Sequence, residues 1–312
     1  MKPEIIVVGP MYPTAQARLE AEFTAHLLWQ AENRDAFLGG LAERVRGIAV
    51  YALHGCTAPL IEALPRVEII ACMGIGVDRI DLACARARGI RVTNTPDVVT
   101  DDTADTALAL ILAVERRIAE GDRFVKNGDW NNGELRFGRS LTHRKLGIVG
   151  LGRIGRAIAR RAASFGMDIA YQGPRAKDDT PYRYVADLVA LAQWSEILVT
   201  ACPGGEATRN LIDRDVIAAL GPQGTLINIS RGSVVDEVAL VAALQAGALG
   251  AAGLDVFASE PRVPDALLTM DNVVLSPHIG TSTHDTRRAM GDLMVDNLHA
   301  HFAGRDLLTP VA

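Results

Sequence analysis

Three side chains in the second half of the chain each follow an apolar run. Arg231 follows Leu226-Ile227-Asn228-Ile229-Ser230, Glu260 follows Gly253-Leu254-Asp255-Val256-Phe257-Ala258-Ser259, and His278 follows Val273-Val274-Leu275-Ser276-Pro277. If each run is a strand of one parallel sheet, all three lie just beyond carboxyl ends, where open α/β sheets place their ligands. A guanidinium fork matches the two oxygens of a carboxylate. An imidazole can give a proton to a carbonyl oxygen that is gaining charge. A neighbouring carboxylate orients the ring and favours its protonated form. Hydride transfer to a 2-oxo acid needs this set. Singly, each residue has a plainer reading: Arg231 a surface cation, Glu260 a loop acid before Pro261, His278 a hydrogen-bonded core residue. Their recurrence at three successive strand ends argues for a site. Of the other histidines, only His54 and His284 are candidates for a pocket rim.

A hydride needs a carrier, and Gly150-Leu151-Gly152-Arg153-Ile154-Gly155 offers a place for one. Lys145-Leu146-Gly147-Ile148-Val149 reads as a buried strand running into Gly150, and Arg156 to Phe165 reads as a helix ending at Gly166. In this setting the first glycine permits a tight turn and the second lets backbone approach a pyrophosphate. The third allows close helix–strand packing, and the helix N-terminus faces the phosphate charge. The plainer reading is a glycine turn between any strand and helix. At the end of the next strand, where NAD sites place an acid, stands Tyr171-Gln172-Gly173-Pro174-Arg175-Ala176-Lys177. Asp168 opens that strand, and Asp178 and Asp179 come too late. Arg175 can pair with a 2′-phosphate that a carboxylate would repel. NADP(H) is therefore the preferred cofactor, with NAD(H) as the alternative if Arg175 and Lys177 merely form a solvated loop.

These groups need a scaffold of alternating strands and helices. The runs Ile5–Val8, Ile48–Val50, Val67–Ile70 and Ile90–Val92 form a first series of strands. Leu146–Val149, Ile169–Tyr171, Ile197–Thr200, Thr225–Ile229, Ala252–Val256 and Val273–Leu275 form a second, six-stranded one. Continuous apolar strands interleaved with helices predict parallel sheets covered on both faces. The series join at Asn94-Thr95-Pro96-Asp97, and a helix is expected from Asp101 or Asp102, as cap, to about Val125. Its apolar positions cover more than one face, which predicts burial on several sides, partly by a second subunit. A final helix over 285–302 is expected to return to the first domain. The predicted fold is α/β, with two Rossmann-like domains and the active site in the interdomain cleft. Residues 1–96 plus 285–312 would form a substrate-binding domain, and 97–284 a dinucleotide-binding domain.

Composition sets the outer limits. Of 312 residues, 49% are hydrophobic, as in a globular protein, and 32 basic against 37 acidic side chains give a net charge of −5. Without a dense basic block, nucleic acid is a poor partner. Cys56, Cys72, Cys84 and Cys202 form no CxxC pair, which suggests a reducing compartment and no metal site. The opening apolar run is too short for a signal peptide, and Ala107–Val114 is far too short to span a bilayer. A soluble cytoplasmic protein without membrane partner is expected.

Six segments in order, over nearly the whole chain, resemble the D-2-hydroxyacid dehydrogenase family. They are Gly74-Ile75-Gly76-Val77-Asp78-Arg79-Ile80-Asp81, Val92 to Asp97, Leu146 to Gly155, Asn228 to Glu237, Gly253 to Phe257, and Ser276 to Gly280. The resemblance implies that Arg231 binds substrate, that Glu260 supports His278, and that His278 donates the proton. It further implies that the amides of Ile75 and Gly76 hold the substrate carboxylate. The cofactor would meet Thr103, Gly150, Gly152, Arg153, Ile154, Gly155, Arg175, Cys202, Pro203, Thr208, Ile229, Asp255 and Gly280, with Asp255 on the nicotinamide amide. The family also implies a homodimer embraced by the long helix and the loop flanking it. Gly173-Pro174-Arg175 and Cys202-Pro203-Gly204-Gly205 resemble the glyoxylate/hydroxypyruvate and hydroxyphenylpyruvate reductases, although Pro174 departs from their usual pattern. The end at residue 312 speaks against the longer phosphoglycerate dehydrogenases. The reaction expected is NAD(P)H-dependent reduction of a small 2-oxo acid to its D-2-hydroxy acid. Trp130, Tyr51, Leu53, Arg136 and Phe137 are candidates to shape the pocket rim. The alternatives are an aromatic 2-oxo acid, such as hydroxyphenylpyruvate, and a non-catalytic dinucleotide-sensing protein.

Overall fold

The computed structural model describes residues 2–311, which fall into two compact units. One contains the chain up to Val99 and again from Ser282 onward; the other is Thr100–Thr281.

In the first unit, β1 (Glu4–Val7), β2 (Thr24–Leu27), β3 (Gly47–Tyr51), β4 (Ile69–Met73) and β5 (Arg91–Thr93) form a sheet of order β2-β1-β3-β4-β5. Every pair in it is parallel. Strand side chains alternate between faces, so Ile6, Ile48, Val50, Ile70 and Cys72 build one core. Ile5, Val7, Ala49, Ile69, Ala71 and Met73 build another, with Met290, Met294, Val295 and Leu298 of the last helix. Two buried faces are the reason these strands read as unbroken apolar runs. The last helix, His284–Phe302, lies in this unit. The sequence reading missed β2, because Thr-Ala-His-Leu is only partly buried at a sheet edge and carries no apolar run.

In the second unit, β6 (Lys145–Val149), β7 (Asp168–Gln172), β8 (Arg183–Tyr184), β9 (Ile197–Thr200), β10 (Thr225–Asn228), β11 (Ala251–Leu254) and β12 (Val273–Leu275) form a parallel sheet. Its order is β12-β11-β10-β9-β6-β7-β8, the dinucleotide-binding 3-2-1-4-5-6 order extended by one strand. It therefore has seven strands where six were expected; β8 is a two-residue edge strand, too short to leave a pattern.

The helix expected over 101–125 is two helices, Thr100–Glu115 and Ile118–Lys126. Arg117 between them has φ 56°, a left-handed conformation that ends the first helix. Asp101 and Asp102 lie inside the first turn, where their charge still favours the positive helix end. The many-sided burial of Thr100–Glu115 is met within its own unit, against the helix Arg153–Ser164 and against β10, β11 and β12. Beyond that helix the apolar residues Ile118, Val125, Trp130 and Phe137 are exposed.

Candidate active site

The glycine loop sits at the switch point of the second sheet, between β6 and β9, where the strand order reverses. Its three glycines have three different physical reasons. Gly150 has φ 97°, and a Cβ there would lie 2.8 Å from the Cys202 nitrogen at the end of β9. A Cβ on Gly155 would lie 2.1 Å from the Gly150 carbonyl oxygen, so helix and turn meet only without a side chain. A Cβ on Gly152 would meet nothing within 4 Å, and Gly152 opens the helix Arg153–Ser164 with no side-chain cap. The first amides of this helix are thus uncapped behind a residue kept small by nothing in the protein. That combination fits a pyrophosphate group.

The surrounding loops are held in place locally. Thr208 Oγ1 donates to the carbonyl oxygens of Pro203 (2.7 Å) and Gly205 (3.3 Å), fixing the loop that follows Cys202. Burial, partly offset by a hydrogen bond with Ser230, pushes the Cys202 thiol above its ordinary value. Arg175 stands exposed in the turn after β7, and the Lys177 amide there donates to Tyr171 Oη at 2.7 Å.

Arg231, Glu260 and His278 follow β10, β11 and β12, three neighbouring strands in one sheet. Arg231 Nη1 donates to the Ser230 carbonyl at 2.9 Å. Asn228 fixes the backbone beneath it, accepting from the Thr200 hydroxyl at 2.6 Å and the Ser230 amide at 3.1 Å, and donating to the Arg231 carbonyl at 3.0 Å. A Cβ on Gly204 would lie 2.5 Å from Arg231 Cγ, and one on Gly232 would lie 1.9 Å from the Phe257 carbonyl carbon. The two glycines let the arginine side chain pass and bring the β10 and β11 loops together. Sequence reasoning gave neither residue this role; the only available signal was a glycine beside each proposed site residue.

His278 Nδ1 lies 2.9 Å from Glu260 Oε2, and Glu260 Oε1 accepts from the Phe257 amide at 3.1 Å. Both side chains are mostly buried, at 23% and 17% exposure. His278 has φ 54°, a costly conformation for a residue with a Cβ. Asp255, fully buried, holds it there. The Asp255 carboxylate accepts from Ser276 Oγ (2.5 Å) and from the amides of Ile279 (2.8 Å) and Gly280 (3.0 Å); its carbonyl accepts from the His278 amide (2.8 Å). Asp255 therefore builds the turn that presents the imidazole, a role the sequence reading did not give it. Thr103 Oγ1 donates to the Gly280 carbonyl at 3.2 Å, and Ile229 is buried at the end of β10.

In the first unit, Gly74-Ile75-Gly76 follows β4. Gly74 has φ 147°, and a Cβ on it would lie 2.5 Å from Ala52 Cβ. Thr95 Oγ1 accepts from the Gly74 amide at 2.9 Å, and Asn94 Nδ2 donates to the Ile75 carbonyl at 2.9 Å. Among the described residues no acceptor faces the amides of Ile75 or Gly76, the arrangement of a small anion-binding turn. Leu53 lies in the loop after β3, where its carbonyl accepts from Arg79 Nη1 at 2.7 Å. His284 pairs with Tyr12 Oη at 2.7 Å. Trp130 and Phe137 are exposed, and Arg136 reaches Glu120 at 3.3 Å.

A parallel sheet of this order, with an uncapped glycine turn at its switch point and a proton-donating pair on the adjoining strand ends, defines a nicotinamide-nucleotide dehydrogenase. The family model for the D-isomer specific 2-hydroxyacid dehydrogenase NAD-binding domain matches residues 108–280. The chain belongs to that family, and with it to the NAD(P)-dependent 2-hydroxyacid dehydrogenases. It is 47% identical over 307 residues to glyoxylate/hydroxypyruvate reductase A of Arabidopsis thaliana, covering 98% of each chain. It is equally similar, 47% over 307 residues and 98% of each chain, to hydroxyphenylpyruvate reductase of Plectranthus scutellarioides. Among solved structures it resembles NADPH-dependent glyoxylate/hydroxypyruvate reductase of Sinorhizobium meliloti, in complex with NADP and malonate. The identity there is 43% and the TM-score 0.95, covering 100% of this chain and 97% of the other. No helix among the described residues is long and apolar enough to cross a membrane.

Proposed function

We propose that this chain reduces a small 2-oxo acid of the glyoxylate or hydroxypyruvate class to its D-2-hydroxy acid, with NADPH preferred and NADH as the weaker donor. The His278–Glu260 pair carries this reading: a mostly buried imidazole, bonded through Nδ1 to a carboxylate, leaves Nε2 to deliver a proton. Arg231 would bind the substrate carboxylate and draw charge toward the carbonyl oxygen. The amides of Ile75 and Gly76 would hold that same carboxylate, making the first unit the substrate-binding one. Bound nicotinamide nucleotide supplies the hydride that goes to the carbonyl carbon. His278 then gives its proton to the carbonyl oxygen, and Glu260 stabilises the ring while it is charged.

For the nucleotide, the uncapped amides after Gly152 would take the pyrophosphate, with the loops of Cys202, Pro203, Thr208 and Ile229 beside them. Arg175 would face the 2′-phosphate, while Thr103, Asp255 and Gly280 would form the nicotinamide end. Several of the similar reductases are described as acting on glyoxylate or hydroxypyruvate, which supports this reading, and the aromatic alternative is not better supported. We further propose a cytoplasmic homodimer, with no nucleic-acid or membrane partner, in which a second copy covers the exposed Ile118, Val125, Trp130 and Phe137.

The test follows NADPH and NADH oxidation with a panel of 2-oxo acids. Turnover of glyoxylate or hydroxypyruvate, faster with NADPH, is expected. Tight NADPH binding without turnover of any 2-oxo acid would turn the reading into a nucleotide-sensing protein.

A further inference from the structure

The carboxyl edge of the first sheet carries a second polar cluster, made by Tyr51, His54, Ser282 and Arg287. Tyr51 ends β3 and is paired in register with Met73, the residue before the Gly74–Gly76 turn. The two strand ends are therefore neighbours, separated by about 5 Å. Tyr51 and Ile75 also pack on one apolar cluster that contains Met73, Val99 and Met290. Met290 lies one turn after Arg287 on the last helix, which packs against β4. The cluster and the anion-binding turn thus share one edge.

Arg287 lies over the Tyr51 ring, with Cζ 4.9 Å from its centre, and Nη1 donates to Tyr51 Oη. Nη2 donates to Ser282 Oγ at 3.1 Å. Five N–H groups belong to a guanidinium, and these two bonds leave the others unused by the described residues. No carboxylate of the described residues pairs with Arg287, unlike Arg18 or Arg46 elsewhere in this unit. The Tyr51 side is closely packed. His54 packs edge-on against the ring at 5.7 Å and 81°, and it sits where a Cβ on Gly9 would come within 2.3 Å of its Nδ1. Burial holds the His54 imidazole below its ordinary value, so at neutral pH it adds no second positive charge. The result is a half-buried, un-neutralised guanidinium fixed by a phenol, next to the turn assigned to the substrate carboxylate.

We infer that Arg287, held by Tyr51, is a specificity-determining residue that binds the far end of the substrate, selecting 2-oxo acids with an oxygen, hydroxyl or carboxylate, on carbon 3 or beyond. This rests on the proposed 2-oxo acid reduction, with Ile75 and Gly76 at the carboxylate. A site built to hydrogen-bond such an oxygen discriminates strongly against analogues that lack it, since its donors are then left unpaired.

The test compares kcat/KM for hydroxypyruvate, which has a distal hydroxyl, with glyoxylate and pyruvate, which have none. The wild type should favour hydroxypyruvate over pyruvate. Arg287→Gln should lower the hydroxypyruvate-to-glyoxylate ratio of kcat/KM about ten- to a hundredfold, the usual weight of a hydrogen bond to a charged group. Tyr51→Phe, which keeps the ring and frees the guanidinium, should lower the same ratio severalfold and serves if Arg287→Gln fails to fold. An equal loss on both substrates, which leaves the ratio unchanged, would assign Arg287 a merely structural role and overturn the inference, and so would no loss on either. Either result leaves the reductase reading standing. A wild type that reduces none of the three overturns both.

Discussion

Asp179 Oδ1 lies 2.6 Å from Arg156 Nη2, tying the loop after β7 back to the glycine-loop helix. The hydrogen bond from Arg156 holds the Asp179 carboxyl below its ordinary range. Its charge is thereby matched locally, and Arg175, a few residues earlier, keeps its own positive charge for a ligand. Replacing Arg175 with Ala should raise the Kd for NADPH about ten- to a hundredfold and that for NADH less than threefold. Titration of the protein with each nucleotide, followed by fluorescence, measures both. An equal effect on the two would remove Arg175 from the 2′-phosphate site.

Two glycines of one loop should respond in opposite ways to the same substitution. Gly155→Ala forces a Cβ against the Gly150 carbonyl and should destabilise the free protein by about 1–3 kcal/mol. Gly152→Ala meets open space and should leave the melting temperature of the free protein nearly unchanged. It should nonetheless weaken nucleotide binding tenfold or more, because a methyl would stand where the pyrophosphate approaches. A Gly152→Ala variant that binds NADPH normally would contradict the assignment of this turn.

His278→Ala should lower kcat about a hundred- to ten-thousandfold, the usual contribution of a positioned acid. Glu260→Gln keeps a hydrogen-bonding side chain but loses the charge, and should lower kcat about tenfold or more. Neither should change NADPH affinity more than about twofold, since neither residue is assigned to the nucleotide. Steady-state kinetics and nucleotide titration on the same preparations separate the two effects.

Away from the site, Glu68 bridges β4 to the last helix. Arg46 forks onto it through Nε at 2.8 Å and Nη2 at 2.9 Å, and His301 Nε2 lies 3.1 Å away. The Arg46 hydrogen bonds, with a smaller contribution from His301, hold the Glu68 carboxyl below its ordinary value. A carboxyl lowered in the folded state stabilises it above the unfolded value of about 4.3. That stability is lost as pH falls through the folded value. Glu68→Gln should therefore be less stable than the parent at pH 7, by about 0.5 kcal/mol, since the pair is partly exposed. The difference should begin to shrink below about pH 4.3 and close as pH falls through the lower folded value. Urea denaturation across this range tests it; a constant difference would mean the loss is one of packing.

The chemistry was legible in the sequence because it sits at strand ends, and buried parallel strands write themselves as apolar runs. Arg231, Glu260, His278 and the glycine turn follow such runs, and so do ten of the strands, named above from the sequence. The elements that escaped do not bury two faces. Thr24–Leu27 and Arg183–Tyr184 are edge strands that pair through backbone, which any residue carries. The break at Arg117 escaped for a related reason: the apolar pattern runs through it, and a single left-handed residue has no composition of its own.

The sequence by itself determined the family, the alternation of strand and helix, and which residue types stand at the ends of β10, β11 and β12. Only the tertiary structure decided what those residues touch. It made Asp255 the anchor of the strained His278 turn, used Gly204 and Gly232 to bring two loops together, and placed Arg287 over Tyr51 from 236 residues away. Local propensities and hydrophobic period act over a few residues and can be read along the chain. Contacts between distant loops depend on sheet order and on where backbone can pass without a side chain, and the glycine turn between Gly150 and Gly155 shows both kinds of information in six residues.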